Sequence, residues 1–240
     1  MMGFLHVSVA VLSLLCVGHT APLTDCETDC ETDCDSLIEP LEIQGPEQLL
    51  GKWMRVAVSG NNKKIEMMAK NFQDSVWMKL TADNESDVIT QTTAVKTFGI
   101  CLTTTIKLTI RNNTLLPVTT ETLNARPLDK SQVTMLKTGC SDCLLFHSEI
   151  NTLGGKMGGL ILMSKRQNVT AAEMEELQKQ AACLNLGQPF SLNFDKGICP
   201  EPLSPEPDLT ENLKSMAQLY KLVRQEEFVK MMTEFIQNSD

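Results

Sequence analysis

Nine cysteines are the residues of this chain best equipped for covalent chemistry, and their spacing is uneven. Cys16 lies in an apolar leader, Cys26, Cys30 and Cys34 in a short repeat, and Cys101, Cys140, Cys143, Cys183 and Cys199 along the remainder. Without the leader cysteine the number is even, which is the arithmetic of a disulfide framework in an exported chain. Cys140-Ser141-Asp142-Cys143 has the spacing of a redox motif or half a zinc site. In an oxidising compartment it reads as a local disulfide or a bridge to the repeat. The three repeat cysteines, spaced by four and flanked by acids, could as thiolates hold a soft cation or an organometal. A thiol redox enzyme ranks last, because no βαβ context surrounds the pair.

Hydrolytic chemistry fares worse. A triad needs a histidine beside its nucleophile, and zinc hydrolases take two or three. His6 and His19 fall in the leader, leaving His147, which stands mid-strand opposite Phe146 and is expected to face solvent. No enzymatic activity, cofactor or resident metal is expected.

These residues are positioned by four stretches. Residues 1–21 carry no Asp, Glu, Lys or Arg and an apolar run from Val7 to Val17, which reads as a signal peptide rather than a membrane span of about 20 residues. Residues 22–35 hold the thrice-repeated Thr-Asp-Cys-(Glu/Asp), an acidic arm too polar to fold alone. Residues 36–202 form the body. Residues 203–240 are a Pro-rich link and an amphipathic helix from Asp208 to Phe235, with Leu209, Leu213, Met216, Tyr220, Val223, Met231 and Phe235 on one stripe.

Export agrees with three acceptor sequons, at Asn84, Asn112 and Asn168, so a secreted, extracellular glycoprotein is expected. The formal net charge of -9 repels nucleic acid and anionic membrane, and favours a cationic ligand if any.

Within the body, short Thr-, Val-, Ile- and Leu-rich segments predict strands at 51–59, 72–81, 87–94, 100–110, 114–123, 131–137, 143–149 and 158–165. Eight such strands make an antiparallel meander closed into a barrel, or a sandwich. Alternation sets Val76, Met78 and Leu80 against Trp77, Lys79 and Thr81, with the first set inward. Thr170-Ala171-Ala172-Glu173 is a capping box, opening a helix through Met174, Leu177, Ala181 and Leu184 to a stop at Gly187.

Gly51-Lys52-Trp53 opens the first strand. In this setting it resembles the lipocalins, whose first strand begins with such a motif and whose barrel ends in a helix and a short extra strand. Cys34-Asp35-Ser36-Leu37, Cys101-Leu102-Thr103-Thr104-Thr105, Ala182-Cys183-Leu184 and Gly197-Ile198-Cys199-Pro200 are similar in order and spacing to the plasma group of alpha-1-acid glycoprotein and apolipoprotein M. The resemblance runs over about residues 34 to 202.

It implies an all-β fold, an eight-stranded antiparallel up-and-down barrel with one flanking α-helix, followed here by a C-terminal helical extension. It also implies disulfides Cys34 with Cys183 and Cys101 with Cys199, structural roles for Gly51 and Trp53, and a cation from Lys165 or Arg166 over the Trp53 ring. Sugar at Asn84 and Asn112 matches that group. Apolipoprotein M grips a phosphorylated lipid with basic and aromatic side chains, where this chain has Thr104, Ile106, Leu108 and Gly159. Fish relatives bind toxins or organotin.

The implied function is transport: a carrier holding a small hydrophobic or amphipathic ligand, whether lipid, xenobiotic or toxin, in its barrel. The expected inward set is Val76, Met78, Leu80, Thr104, Ile106, Leu108, Val118, Val133, Met135, Leu144, Phe146, Ile161 and Met163, rich in adaptable Met and poor in aromatics. Residues 60–68 would lie over the mouth, where Met67 and Met68 could cap the ligand. The alternative is an interaction protein whose C-terminal helix docks on a protein partner or a lipoprotein particle.

Overall fold

The computed structural model describes residues 33–85, 87–111, 114–118, 132–152, 155–202, 209–225, 229–230, 233 and 237. The leader, Cys16, Cys26, Cys30 and Asn112 lie outside them, as do residues 119–123 of the expected fifth strand.

Alternating β-branched and polar residues form the expected meander. Its strands are β1 (Gly51–Gly60), β2 (Gln73–Ala82), β3 (Val88–Thr97), β4 (Ile100–Arg111), β5 (Thr114–Pro117), β6 (Gln132–Leu136), β7 (Cys143–Thr152) and β8 (Gly155–Ser164). Each pairs antiparallel with the next, and β1 pairs with both β2 and β8, which closes the barrel. The β3–β4 hairpin turns on Phe98 and Gly99, both at positive φ, the geometry of a two-residue turn that follows strand twist. A ninth strand, β9 (Phe190–Ser191), adds to β1.

Helix α1 (Cys34–Leu37) leads in, followed by a short 3-10 turn at Pro46–Gln48 and then Leu49, which is buried with Trp53 in the inner apolar layer. The Trp53 indole donates to the Leu49 carbonyl at 2.8 Å. Helix α2 (Lys63–Phe72) occupies the β1–β2 connection expected to lie over the barrel mouth; its Lys70 and Glu66 pair across one turn at 2.7 Å.

Helix α3 (Ala171–Cys183) carries the full capping box, with Thr170 Oγ1 accepting from the Glu173 amide and Glu173 from the Thr170 amide. It ends at Cys183, before Gly187, and Leu184 is its C-cap. Helix α4 (Leu209–Val223) is the amphipathic extension. It lies along β4, where Asn212 accepts from the Thr103 amide and donates to its carbonyl, satisfying both backbone groups of a residue that has a strand on one side only. Of the expected stripe, Leu213, Met216 and Tyr220 are 60%, 57% and 61% exposed, while Met231, Phe235 and the side chains of Leu209 and Val223 lie outside the described residues.

Two apolar layers result. Trp53, Met78, Leu80, Ile89, Leu108, Met135, Leu144, Phe146 and Met163 meet inside the barrel. Met54, Val56, Ala57, Trp77, Leu145, Leu160 and Leu162 face outward and are covered by Leu177 and Ala181 of α3 and by Cys199. Gln180 in α3 is buried with its amide donating to the carbonyls of Leu37 and Lys137, both at 2.8 Å, so one polar side chain ties helix, lead-in and barrel together.

Residues 196–201 run along β2 as a strap. Ser75 Oγ donates to the Gly197 carbonyl at 2.9 Å, the Trp77 indole to the Cys199 carbonyl at 2.8 Å, and Lys79 to Glu201 at 2.7 Å. The three side chains share the outward face of β2 and meet every second residue of the strap. At its start Lys196 reaches the buried carboxylate of Asp74 at 2.7 Å, and the Gly99 amide donates to the same group at 2.8 Å.

Burial pushes the Asp74 pKa up, but the hydrogen bonds from Lys196 and Gly99 and the charges of Lys196 and Lys96 outweigh it, and the group sits below its ordinary value. A depressed carboxylate contributes stability above its unfolded pKa and loses it as pH falls through the folded value. The gap in melting temperature between the native chain and Asp74→Asn should therefore be widest near pH 7 and shrink below about pH 4. A gap independent of pH would refute the ion pair's contribution.

Candidate functional site

Alternation along β1 sends Trp53 and Arg55 into the barrel. A register shift between Arg55 and Ala57 then breaks it, so that Val58 follows Arg55 inward while Val56 and Ala57 both face the outer layer. A bulge that re-aims side chains next to a cavity is a recurring device. Two hollows open above the packed inner layer.

One, of about 360 Å3, is walled by Val76, Met78, Gln91, Thr93, Ile106, Leu108, Leu115, Pro117, Val133, Phe146 and Met163. The other, of about 240 Å3, lies between the barrel and α2, against Val58, Ser59, Asn61, Asn62, Glu66, Ala69, Gln73, Met157, Gly158 and Phe190. They meet at Arg55, Ser148 and Ile161, which line both.

The expected inward set divides. Val76, Met78, Ile106, Leu108, Val133, Phe146, Ile161 and Met163 border the hollows. Leu80, Met135 and Leu144 are part of the inner packed layer and border neither. Thr104 is exposed on β4, and Val118 is 41% exposed beside a shallow surface recess with Glu85, Asp87 and Arg111. The side chains of Met67 and Met68 lie outside the described residues; from the same helix, Glu66 and Ala69 face the smaller hollow.

The polar residues of the site are absent from the sequence expectation. Arg55 is part-buried and borders both hollows. Its Nη1 donates to Gln73 Oε1 at 3.0 Å, while its Nε is buried with no hydrogen-bond partner among the described residues. Desolvation lowers its pKa to about 10, so the guanidinium is still charged at neutral pH. Gln91 and Thr93 are bonded to each other at 3.0 Å on the wall of the larger hollow. The signal was present: Arg55 stands two residues from Trp53, and if the tryptophan faces in, a strand must carry Arg55 inward with it.

Lys165, rather than Arg166, stands over Trp53, at 4.8 Å from the ring centre. Arg166 instead clamps Asp142 at 2.7 and 2.9 Å and Glu173 at 2.7 Å, fastening the β6–β7 loop to the start of α3. Those hydrogen bonds hold both carboxyls below their ordinary range.

Disulfides join Cys34 to Cys183, Cys101 to Cys199, and Cys140 to Cys143. With its two sulfurs bonded to each other, the Cys140–Asp142–Cys143 cluster presents no thiolate to a metal. His147 faces the outer layer, where it is half-buried rather than solvent-facing as expected; burial lowers its pKa against the pull of Glu149. Asn84 and Asn168 are exposed.

A closed eight-stranded antiparallel barrel with a flanking helix and an internal hollow is the lipocalin fold, and solved structures agree. The siderocalin Ex-FABP, described as functioning through dual ligand specificities, aligns at 16% identity with a TM-score of 0.50, over 66% of this chain and 99% of that one. A second siderocalin, described as revealing a dual ligand binding mode, aligns at 15% identity and 0.51, over 65% and 95%. An odorant-binding protein aligns at 18% identity and 0.49, over 63% and 94%. No protein-family model matches the chain. No curated protein sequence matches it either. Among the described residues, no helix is long and apolar enough to cross a membrane.

Proposed function

We propose that this protein is an exported carrier that holds one small hydrophobic or amphipathic molecule inside its barrel. The observation that carries the reading is the pair of joined hollows, walled mainly by aliphatic, Met and Phe side chains within a closed barrel. Sites of this size and character, apolar with a few placed polar groups, are those that take small ligands. Three disulfides, exposed sequon asparagines and the apolar leader support export and glycosylation. The motifs shared with the alpha-1-acid glycoprotein and apolipoprotein M group support a plasma-type carrier, and the domain limits at residues 21, 35 and 202 belong to the same proposal.

Ile161 borders both hollows, so Ile161→Trp would fill the passage between them. Phenylnaphthylamine, a neutral environment-sensitive fluorophore, should bind the native chain and bind the variant at least about tenfold more weakly, a change of about 1.4 kcal/mol. Circular dichroism checks that the barrel tolerates the larger side chain. An unchanged dissociation constant in a folded variant would place the binding site outside the barrel and end the carrier reading.

A further inference from the structure

We propose that the ligand of this barrel is an amphiphile with a single anionic head, seated on Arg55 at the junction of the two hollows, with its tail among Val76, Met78, Phe146 and Met163. The inference rests on the carrier reading and names the chemistry of the cargo.

A guanidinium enclosed in an apolar hollow is costly unless its charge and its N–H groups are answered. Arg55 offers five donors, and among the described residues only Gln73, a neutral amide, accepts from it. Its Nε is buried and unanswered. Among the described residues, Glu66 is the one acid on the wall of the smaller hollow and is bound to Lys70 at 2.7 Å, and Arg55 is the one charged residue lining the larger hollow.

The planar fork of arginine matches a carboxylate or phosphate through two parallel hydrogen bonds, and in a water-poor site such bonds are stronger than at the surface. Ser148 borders both hollows beside Arg55, and its hydroxyl has only a long 3.5 Å contact to the Gly159 carbonyl, leaving it able to turn toward a bound head. The apolar walls then take the tail. The interior thus selects the opposite charge to the one that the surface, at -9 overall, would attract.

Displacement of phenylnaphthylamine by four probes with one common tail tests the assignment: dodecanoate, dodecyl phosphate, dodecanol and dodecyltrimethylammonium. The native chain should prefer one or both anions over the alcohol and the cation by about 10- to 100-fold, the range of a charged hydrogen bond. Whichever anion leads identifies the head. Arg55→Gln should erase that preference while leaving dodecanol within about threefold, a change too small for the loss of a charged hydrogen bond. The preference of the native chain needs no variant, and melting curves show whether Arg55→Gln is folded. Equal binding of all four probes, or an anion preference that survives in folded Arg55→Gln, would overturn the role of Arg55 and leave the carrier reading standing. Failure of phenylnaphthylamine and every probe to bind the native chain would overturn both.

Discussion

Replacing both Cys34 and Cys183 by alanine should lower unfolding stability by about 5 kcal/mol. The bond spans 149 residues, and the chain-entropy account gives close to 5 kcal/mol for a loop of this order; native bridges removed from small secreted domains cost about 2–5. Helix α1 is four residues long, and the lead-in is also held by the Leu41 amide on the Met135 carbonyl, the Lys137 amide on the Glu39 carbonyl, Gln180 on Leu37, and the packing of Ile38, Leu41 and Ile43 on the two apolar layers. Urea unfolding of the double variant beside the native chain reads the difference. The slope should also rise, because an uncrosslinked unfolded chain exposes more surface. A loss below about 1 kcal/mol would show that the lead-in docks unaided. Removing Cys140 and Cys143 should cost far less, since a separation of three residues closes almost no loop.

Trp77→Ala should cost about 3–5 kcal/mol, the range for truncating a buried aromatic. For a barrel of this size that lowers the melting temperature by on the order of 10 °C. Trp77 has 0% exposure although it stands on the outer face of β2, because the strap at 196–201 lies over it and its indole donates to the Cys199 carbonyl. Lys52 adds a cation 4.6 Å from its ring centre. Trp77→Phe keeps most of the packing but strands the Cys199 carbonyl, and should cost about 1–3 kcal/mol. Lys79→Ala, which breaks only a half-exposed ion pair on the same strap, should cost under about 1 kcal/mol. Melting curves for the three variants should keep that order. A Trp77→Ala effect within about 0.5 kcal/mol would mean that the strap is not closed over the barrel in solution.

These two residues mark where alternation stops being sufficient. Period two along β2 correctly separates Val76, Met78 and Leu80 from Trp77 and Lys79, but it records only which side of a sheet a residue takes. Whether that side is wet depends on what else lies there. Trp77, read from the sequence as part of a polar face, is sealed by a segment about 120 residues away in the chain. The outward face of the barrel is in fact a second core, and α3 completes it with Leu177 and Ala181. On α4 the periodicity marks an apolar stripe without saying what it meets; Leu213, Met216 and Tyr220 are exposed, while Asn212 on another side of the helix bonds β4.

The candidate site was partly legible for the same reason. Eight of the thirteen residues expected to face inward, Val76, Met78, Ile106, Leu108, Val133, Phe146, Ile161 and Met163, do border a hollow, since side-chain direction on a strand follows from parity. Leu80, Met135 and Leu144 share that parity and are packed instead; depth along the barrel axis separates lining from floor, and no local pattern carries it.

By itself the sequence determined the strand order, the parity of β2 and β4, the capping box that starts α3, and a cysteine count suited to an oxidising compartment. All of these are set by neighbours a few residues apart or by simple number. Only the tertiary structure decided that Arg55 stands at the junction of two hollows with its Nε unpartnered among the described residues, that Arg166 goes to Asp142 and Glu173 while Lys165 covers Trp53, and that β1 shifts register after Arg55. The physical reason is that charge compensation and burial depend on atoms brought together by barrel closure. An arginine in a strand looks the same in sequence whether it points at water or into an apolar-walled hollow.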